Sequence, residues 1–185
     1  RYFAEVLAAK LRHRGVHVGP VIVHDRLPPS ARRLYRHVNR QPLAEVVRGM
    51  LKYSNNFIAN QLFLSLGAQR FQPPATLAKA RRAADEFIAR EFRWRRYRIV
   101  EGAGLSRQNR LSARQLVQVL ERLQPFFQLL PQRERDIRAK TGTLKGVSSY
   151  AGYIGAERPR KCFALIINRP IAHDFRFRLA ESLVD

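Results

Sequence analysis

Acidic residues are scarce in this chain: 14 aspartates and glutamates stand against 35 lysines and arginines, a formal charge of +21 over 185 residues. Six of the basic residues are lysines and 29 are arginines. Such a surface attracts anions in a salt-dependent way and says nothing about fold. One cysteine excludes an intrachain disulfide, and the place of Cys162 in the apolar run 162–167 makes it a small core residue. No apolar run approaches the roughly 20 residues of a membrane-spanning helix, so no transmembrane segment is expected. His13, His17, His24 and His37 lie without metal-ligand spacing, and neither H-E-x-x-H nor C-x-x-C occurs. No metal site is expected. Nucleic-acid signatures are missing too: there is no RNP motif, zinc-finger spacing or basic zipper, and the arginines are scattered, with short pairs at Arg32-Arg33, Arg81-Arg82 and Arg95-Arg96. No specific nucleic-acid partner is expected; a basic module using the +21 surface would bind weakly and release at moderate salt.

What is present is an apolar content of 45%, ordinary for a globular protein and enough at this length for one buried core. No repeat, low-complexity segment or linker divides the chain, so residues 1–185 are expected to form part of one domain. Phe3, Val6, Leu7 and Leu11 share a helical face, with Gly15 as the stop. Val16 to Val23 reads as an edge strand or extended linker because of Pro20, and Asp25 to Arg40 as a surface loop. Pro42 opens a helix carrying Leu43, Val46, Val47, Met50 and Leu51. Tyr53-Ser54-Asn55-Asn56 interrupts it with side chains that compete for backbone hydrogen bonds. A further helix resumes with Phe57, Ile58, Leu62 and Leu66 inward and Gly67 near its end. After Pro73-Pro74 another helix spans about 75–92. A strand is predicted from Tyr97 to Glu101, followed by the glycine loop Gly102 to Ser106. Ser112 and Gln115 form a capping-box pattern before Leu116, Val117, Leu120 and Leu123. Two strands, Val147 to Ile154 and Cys162 to Asn168, and a helix from Asp174 to Val184 complete the pattern. The helices between about 42 and 127 form a helical lobe in this reading.

The segment Ala139-Lys140-Thr141-Gly142-Thr143-Leu144-Lys145-Gly146-Val147 suits a sheet edge that grips a carboxylate. Lys140 supplies a compact positive charge, Thr141 and Thr143 supply hydroxyl donors on one face of a strand, and Gly142 leaves the backbone open. A strand with an exposed lysine and a turn glycine would carry the same letters, so the upstream motifs matter. Ser54-Asn55-Asn56, then Glu101-Gly102-Ala103-Gly104-Leu105-Ser106-Arg107-Gln108-Asn109, then Lys140-Thr141-Gly142-Thr143 resemble, in that order, the motifs of the penicillin-binding D-alanyl-D-alanine carboxypeptidase/endopeptidase family. The flanks of Ser54, Met50 to Ala59, are similar to family sequence as well.

The resemblance implies an α+β fold of the serine β-lactamase/DD-peptidase type, an antiparallel sheet flanked by helices and packed against the first and last of them. It departs in one respect: none of the eight serines is followed by lysine three residues later, so the S-x-x-K motif is absent. In the family that motif carries the acylated serine. The chain therefore resembles a C-terminal portion, incomplete at its N-terminus, with the nucleophile, any targeting signal and a partner segment expected before Arg1. The resemblance further implies catalytic roles for Ser54, Asn56 and Lys140, and substrate binding by Thr141, Gly142 and Thr143. The implied ligands are peptidoglycan stem peptides and inhibitory β-lactams, no metal or organic cofactor is implied, and the implied location is the periplasm or cell envelope. No catalytic role is assigned to Glu101 to Asn109, read as a conformational loop bordering the cleft. The alternative is a cell-wall-binding pseudoenzyme that keeps the carboxylate grip without acylation.

Overall fold

The computed structural model describes all residues except Asp25, Leu27, Pro28, Arg135 and Asp185, and leaves out the Glu134 side chain. Part of the expected 25–40 loop thus lies outside the described residues. The chain divides into two compact units, Arg1–Arg40 and Gln41–Asp185.

In the first unit, α1 (Tyr2–His13) ends in Gly15 at φ +79°, the left-handed stop that the sequence predicts. Its apolar face is largely uncovered: Phe3 is 76% exposed, and Ala8 is the buried residue of the helix. The following segment is irregular rather than a strand among its described residues. Arg12 draws it back onto the helix end by donating to the carbonyls of Val18 and Gly19 at 3.0 and 2.8 Å.

The second unit begins with α2 (Leu43–Tyr53) and α3 (Asn56–Phe71), separated by two residues. α3 and α4 (Leu77–Glu91) pack together at close range. The buried positions of α3 are Phe63 and Gly67, whereas Phe57 and Leu66 are 73% and 55% exposed. The inward face is therefore rotated from the one expected. Gly67 explains the rotation: a Cβ there would lie 2.5 Å from the Ala80 amide nitrogen and 2.7 Å from the Lys79 carbonyl carbon. It is a packing glycine near the end of the helix, and it lets two helix backbones approach.

The predicted strand 97–101 is reduced to one bridge between Arg98 and Arg110. The Val100 amide goes to the Asn109 side chain at 2.7 Å, so no ladder can extend beyond it. The capping box opening α5 (Ala113–Leu123) is present in both halves, Ser112 Oγ accepting from the Gln115 amide and Gln115 Oε1 from the Ser112 amide. A 3₁₀ segment, Gln124–Leu129, follows.

Four antiparallel strands form a sheet in chain order: β1 (Gln132–Glu134), β2 (Ile137–Leu144), β3 (Val147–Ile154) and β4 (Lys161–Ile167). β1 is a strand the sequence pattern does not announce. Alternation gives the sheet two covered faces. On one, Ile137, Ala139, Tyr150, Ile154 and Phe163 pack with Ala180 and Phe177 of α6 (Phe175–Glu181). On the other, Tyr153 packs with Leu120 of α5, Leu130, Phe127 and Leu51 of α2. Tyr153 fixes this second layer by donating its hydroxyl to the Leu120 carbonyl at 2.5 Å, and burial pushes its pKa up to about 12. The result is the expected α+β architecture, an antiparallel sheet flanked by helices.

Gly67→Ala tests the close helix contact. Alanine is the better helix former by about 1 kcal/mol, yet its methyl would displace backbone of α4, an overpacking cost of about 1–3 kcal/mol. The expected outcome is a lower midpoint in thermal or urea melts; an unchanged or higher midpoint would show that α3 and α4 separate freely.

Candidate active site

The turn between α2 and α3 is as short as a helix junction allows, and each of its residues has a separate task. Ser54 ends α2 in the left-handed region at φ 52°, ψ 46°, and the Asn55 amide closes onto the Met50 carbonyl at 3.1 Å. Asn55 then caps α3, its Oδ1 accepting from the Ile58 amide at 3.0 Å. A serine with positive φ is uncommon and strained by about 1–2 kcal/mol, the kind of outlier that points to function. Asn56 begins α3, exposed, and makes no side-chain hydrogen bond among the described residues.

Lys140 reaches this junction from the middle of β2. Its Nζ donates to Ser54 Oγ at 2.5 Å and to the Thr141 carbonyl at 2.6 Å. Burial lowers its pKa from the ordinary lysine value, and the positive fields of Arg133 and Arg176 push the same way. Because Ser54 Oγ accepts from the ammonium, its own proton is directed elsewhere and is available to a ligand.

Lys140 and Gly142 lie on one face of β2, and Thr141 and Thr143 on the other. The strand register pairs Gly142 with Ser149 and Thr143 with Ser148. Glycine is required at 142 for a reason internal to the sheet: a Cβ would stand 2.4 Å from Ser149 Oγ. Thr143 Oγ1 accepts from Arg176 at 2.9 Å. On its outer side β2 pairs with β1 only at Ile137 and Arg138, so the edge from Lys140 to Leu144 has no partner strand among the described residues. Thr141 and Thr143 therefore meet the Lys140 field at this edge rather than on a shared face.

The glycine loop is held from within and from both sides. Burial raises the pKa of Glu101, but the Ser106 and Ala103 amides, the Asn109 side chain and the Gly104 amide outweigh it and leave the carboxyl below its ordinary value. Ala103 donates at 2.7 Å and Asn109 Nδ2 at 2.5 Å. Asn60 of α3 accepts from the Gly102 amide at 2.8 Å, and Arg107 donates to the Lys145 carbonyl in the β2–β3 turn at 2.6 Å. The loop thus spans from the α3 side of the site to the tip of the hairpin. Sequence reasoning names the loop but not these anchors, and it misses Arg176. Arg176 sits between Phe175 and Phe177 in the last helix, and nothing in the sequence sets it apart from the other arginines. Among the described residues no three His, Cys, Asp or Glu side chains cluster to hold a metal ion. Nor is any of their helices long and apolar enough to cross a membrane.

An S-x-N junction hydrogen-bonded to a K-T-G strand, on an antiparallel sheet covered by helices, defines a protein of the DD-peptidase fold. The sequence model of the D-Ala-D-Ala carboxypeptidase 3 (S13) family matches residues 1–130 and 126–181, and the chain belongs to that family. A curated relative, the D-alanyl-D-alanine carboxypeptidase DacB of Haemophilus influenzae, is 26% identical over 192 residues, covering 90% of this chain and 40% of its own length. The fold is shared with penicillin binding protein 4 of Haemophilus influenzae in complex with a β-lactam, at TM-score 0.79 and 20% identity over 100% of this chain and 51% of that one. A predatory endopeptidase of Bdellovibrio bacteriovorus, acylated by penicillin G, is similar over 77% of this chain and 42% of its own, with TM-score 0.56 and 16% identity. The chain thus spans two fifths to about half the length of these proteins.

Glu101→Gln tests the loop anchor through pH. With its native pKa below the unfolded value, the carboxylate contributes stability that is fully present above the unfolded value and lost as pH falls through the native one. Melts across the acidic range are expected to show a loss of stability in the parent that is reduced in the variant. Parallel curves would remove Glu101 from that role.

Proposed function

We propose that this chain forms the C-terminal wall of a serine-type D-Ala-D-Ala carboxypeptidase/endopeptidase acting on peptidoglycan stem peptides. The observation that carries the reading is the hydrogen bond from Lys140 to Ser54, which joins two family motifs that lie far apart in sequence. In this reading the acylated serine and its lysine lie in polypeptide outside the 185 residues, and β-lactams inhibit by acylating that serine. The location that fits the substrate is the periplasm or cell envelope.

The chemistry divides among the residues as follows. The serine oxygen attacks the carbonyl between the two D-alanines, the C–N bond breaks, and water later hydrolyses the ester. The lysine of the missing S-x-x-K motif takes the attacking serine's proton, and Ser54, with its oxygen held by Lys140, relays a proton from that lysine to the leaving nitrogen. The Asn56 amide, exposed at the start of α3, donates to the peptide backbone of the substrate. Lys140, Thr141 and Thr143 receive the terminal carboxylate at the β2 edge, where charge-assisted hydrogen bonds are strong. The open edge from Lys140 to Leu144 supports alignment of the stem peptide by strand addition, with Gly142 in its middle. A binding-only reading keeps the same grip without acylation.

Two measurements separate these readings. Intact-mass analysis with penicillin is expected to show an adduct on a longer polypeptide that includes the preceding segment, and none on the 185-residue chain. No adduct on either would leave only the binding role. In the longer form, Lys140→Ala is expected to slow acylation about 100-fold or more with little change in melting. The sign of the lysine shift also sets the pH dependence. Lowered from the ordinary value, the ammonium loses its proton below pH 10.5, so the alkaline fall in acylation begins below that value and is moved upward in Lys140→Arg. Equal acylation in mutant and parent would remove Lys140 from the site.

A further inference from the structure

Among the described residues Arg176 is the one charged side chain that is buried, 4% exposed, and no aspartate or glutamate of theirs pairs with it. Its Nη1 donates to three neutral oxygens: Thr143 Oγ1 at 2.9 Å, the Gly142 carbonyl at 3.1 Å and Ser148 Oγ at 3.1 Å. Its Nε is buried without a partner. A guanidinium in this setting is costly, because burial removes water and no counter-charge replaces it. Burial pulls its pKa below the ordinary arginine value, though the group stays charged at any ordinary pH.

Two consequences follow for the edge of β2. The hydroxyl of Thr143 has a single proton, and an oxygen that accepts from Arg176 keeps that proton for another partner. Arg176 and Lys140 also reach β2 from opposite faces, and the positive field of Arg176 adds to burial and Arg133 in disfavouring the charged lysine. An anion at the open edge is the one ligand that both cations stabilise at once, and it relieves their repulsion.

We propose that Arg176 is a positioning residue that makes the site select ligands with a free C-terminal carboxylate. It aims the Thr143 hydroxyl outward and places a second positive charge behind the strand. This rests on the carboxylate grip argued above and names what gives that grip its selectivity.

The test uses the full-length protein with two probes, N-acetyl-D-alanyl-D-alanine and its C-terminal amide, with binding read by ligand-observed NMR whether or not turnover follows. The parent is expected to prefer the carboxylate by about tenfold or more. Arg176→Gln is expected to bring the two affinities within about threefold of one another while leaving the amide's affinity unchanged. A purely structural role would weaken both probes alike, and that outcome overturns the proposal. So does a parent without carboxylate preference, or a variant that retains it. Should Arg176→Gln fail to fold, Arg176→Lys takes its place: a preference reduced threefold or more supports the fork geometry, and an unchanged one overturns it. Penicillin adduct formation on the parent reports separately on the acyl-enzyme reading. A lost preference in the variant together with no adduct on the parent would sink that reading and leave the role of Arg176 standing.

Discussion

The hydrogen bond between Lys140 and Ser54 depends on two parts of the chain that have no local reason to meet. One partner stands in the middle of a strand, the other in a left-handed turn between two helices, 86 residues apart in sequence. Holding them at 2.5 Å requires the β2–β3 register, the packing of α2 under the sheet, and a serine fixed in a conformation it would not choose alone. The strain at Ser54 is offset by its neighbours: Asn55 supplies the cap that α3 needs, and the Asn55 amide closes α2. A single short junction thus ends one helix, starts another and presents a hydroxyl to the lysine.

Electrostatics at this point run against the usual preference for paired charge. Lys140 is partly buried among like charges, Arg176 behind the strand and Arg133 nearby, and its proton is bound less tightly as a result. The carboxylate of the glycine loop, Glu101, is committed to its own loop, where backbone amides and Asn109 occupy its oxygens. It does not neutralise the strand edge. The edge stays positive in the one direction left open, a field suited to an anionic chain end.

Much of this was legible in the sequence because it rests on short-range rules. The capping box at Ser112 and Gln115, the junction at 54–56 and the β3 strand from Val147 to Ile154 are each specified by a few adjacent residues. The family resemblance then tied the separate motifs to one site. What stayed hidden depends on partners distant in the chain. Phe57 and Leu66 have the spacing of an inward face, but Gly67 draws α4 so close that Phe63 and Gly67 are covered instead. The strand expected from Tyr97 to Glu101 fails because Asn109 intercepts the Val100 amide, an event no propensity registers. Arg176 is the sharpest case, since among the described arginines only the fold distinguishes the buried one.

Strand alternation explains why the site is an edge rather than a pocket. Consecutive side chains of β2 point to opposite faces, so Lys140 and Gly142 cannot share a cavity with Thr141 and Thr143. Toward the Ile137 end of the strand both faces are filled, one by α6 and the other by the α2 and α5 layer. The sole region common to both sets is the rim of the strand, left free because β1 pairs no further than Arg138. A ligand that lies along that rim can take backbone hydrogen bonds from β2 and feel a cation from each side. An extended peptide ending in a carboxylate has that shape and that charge.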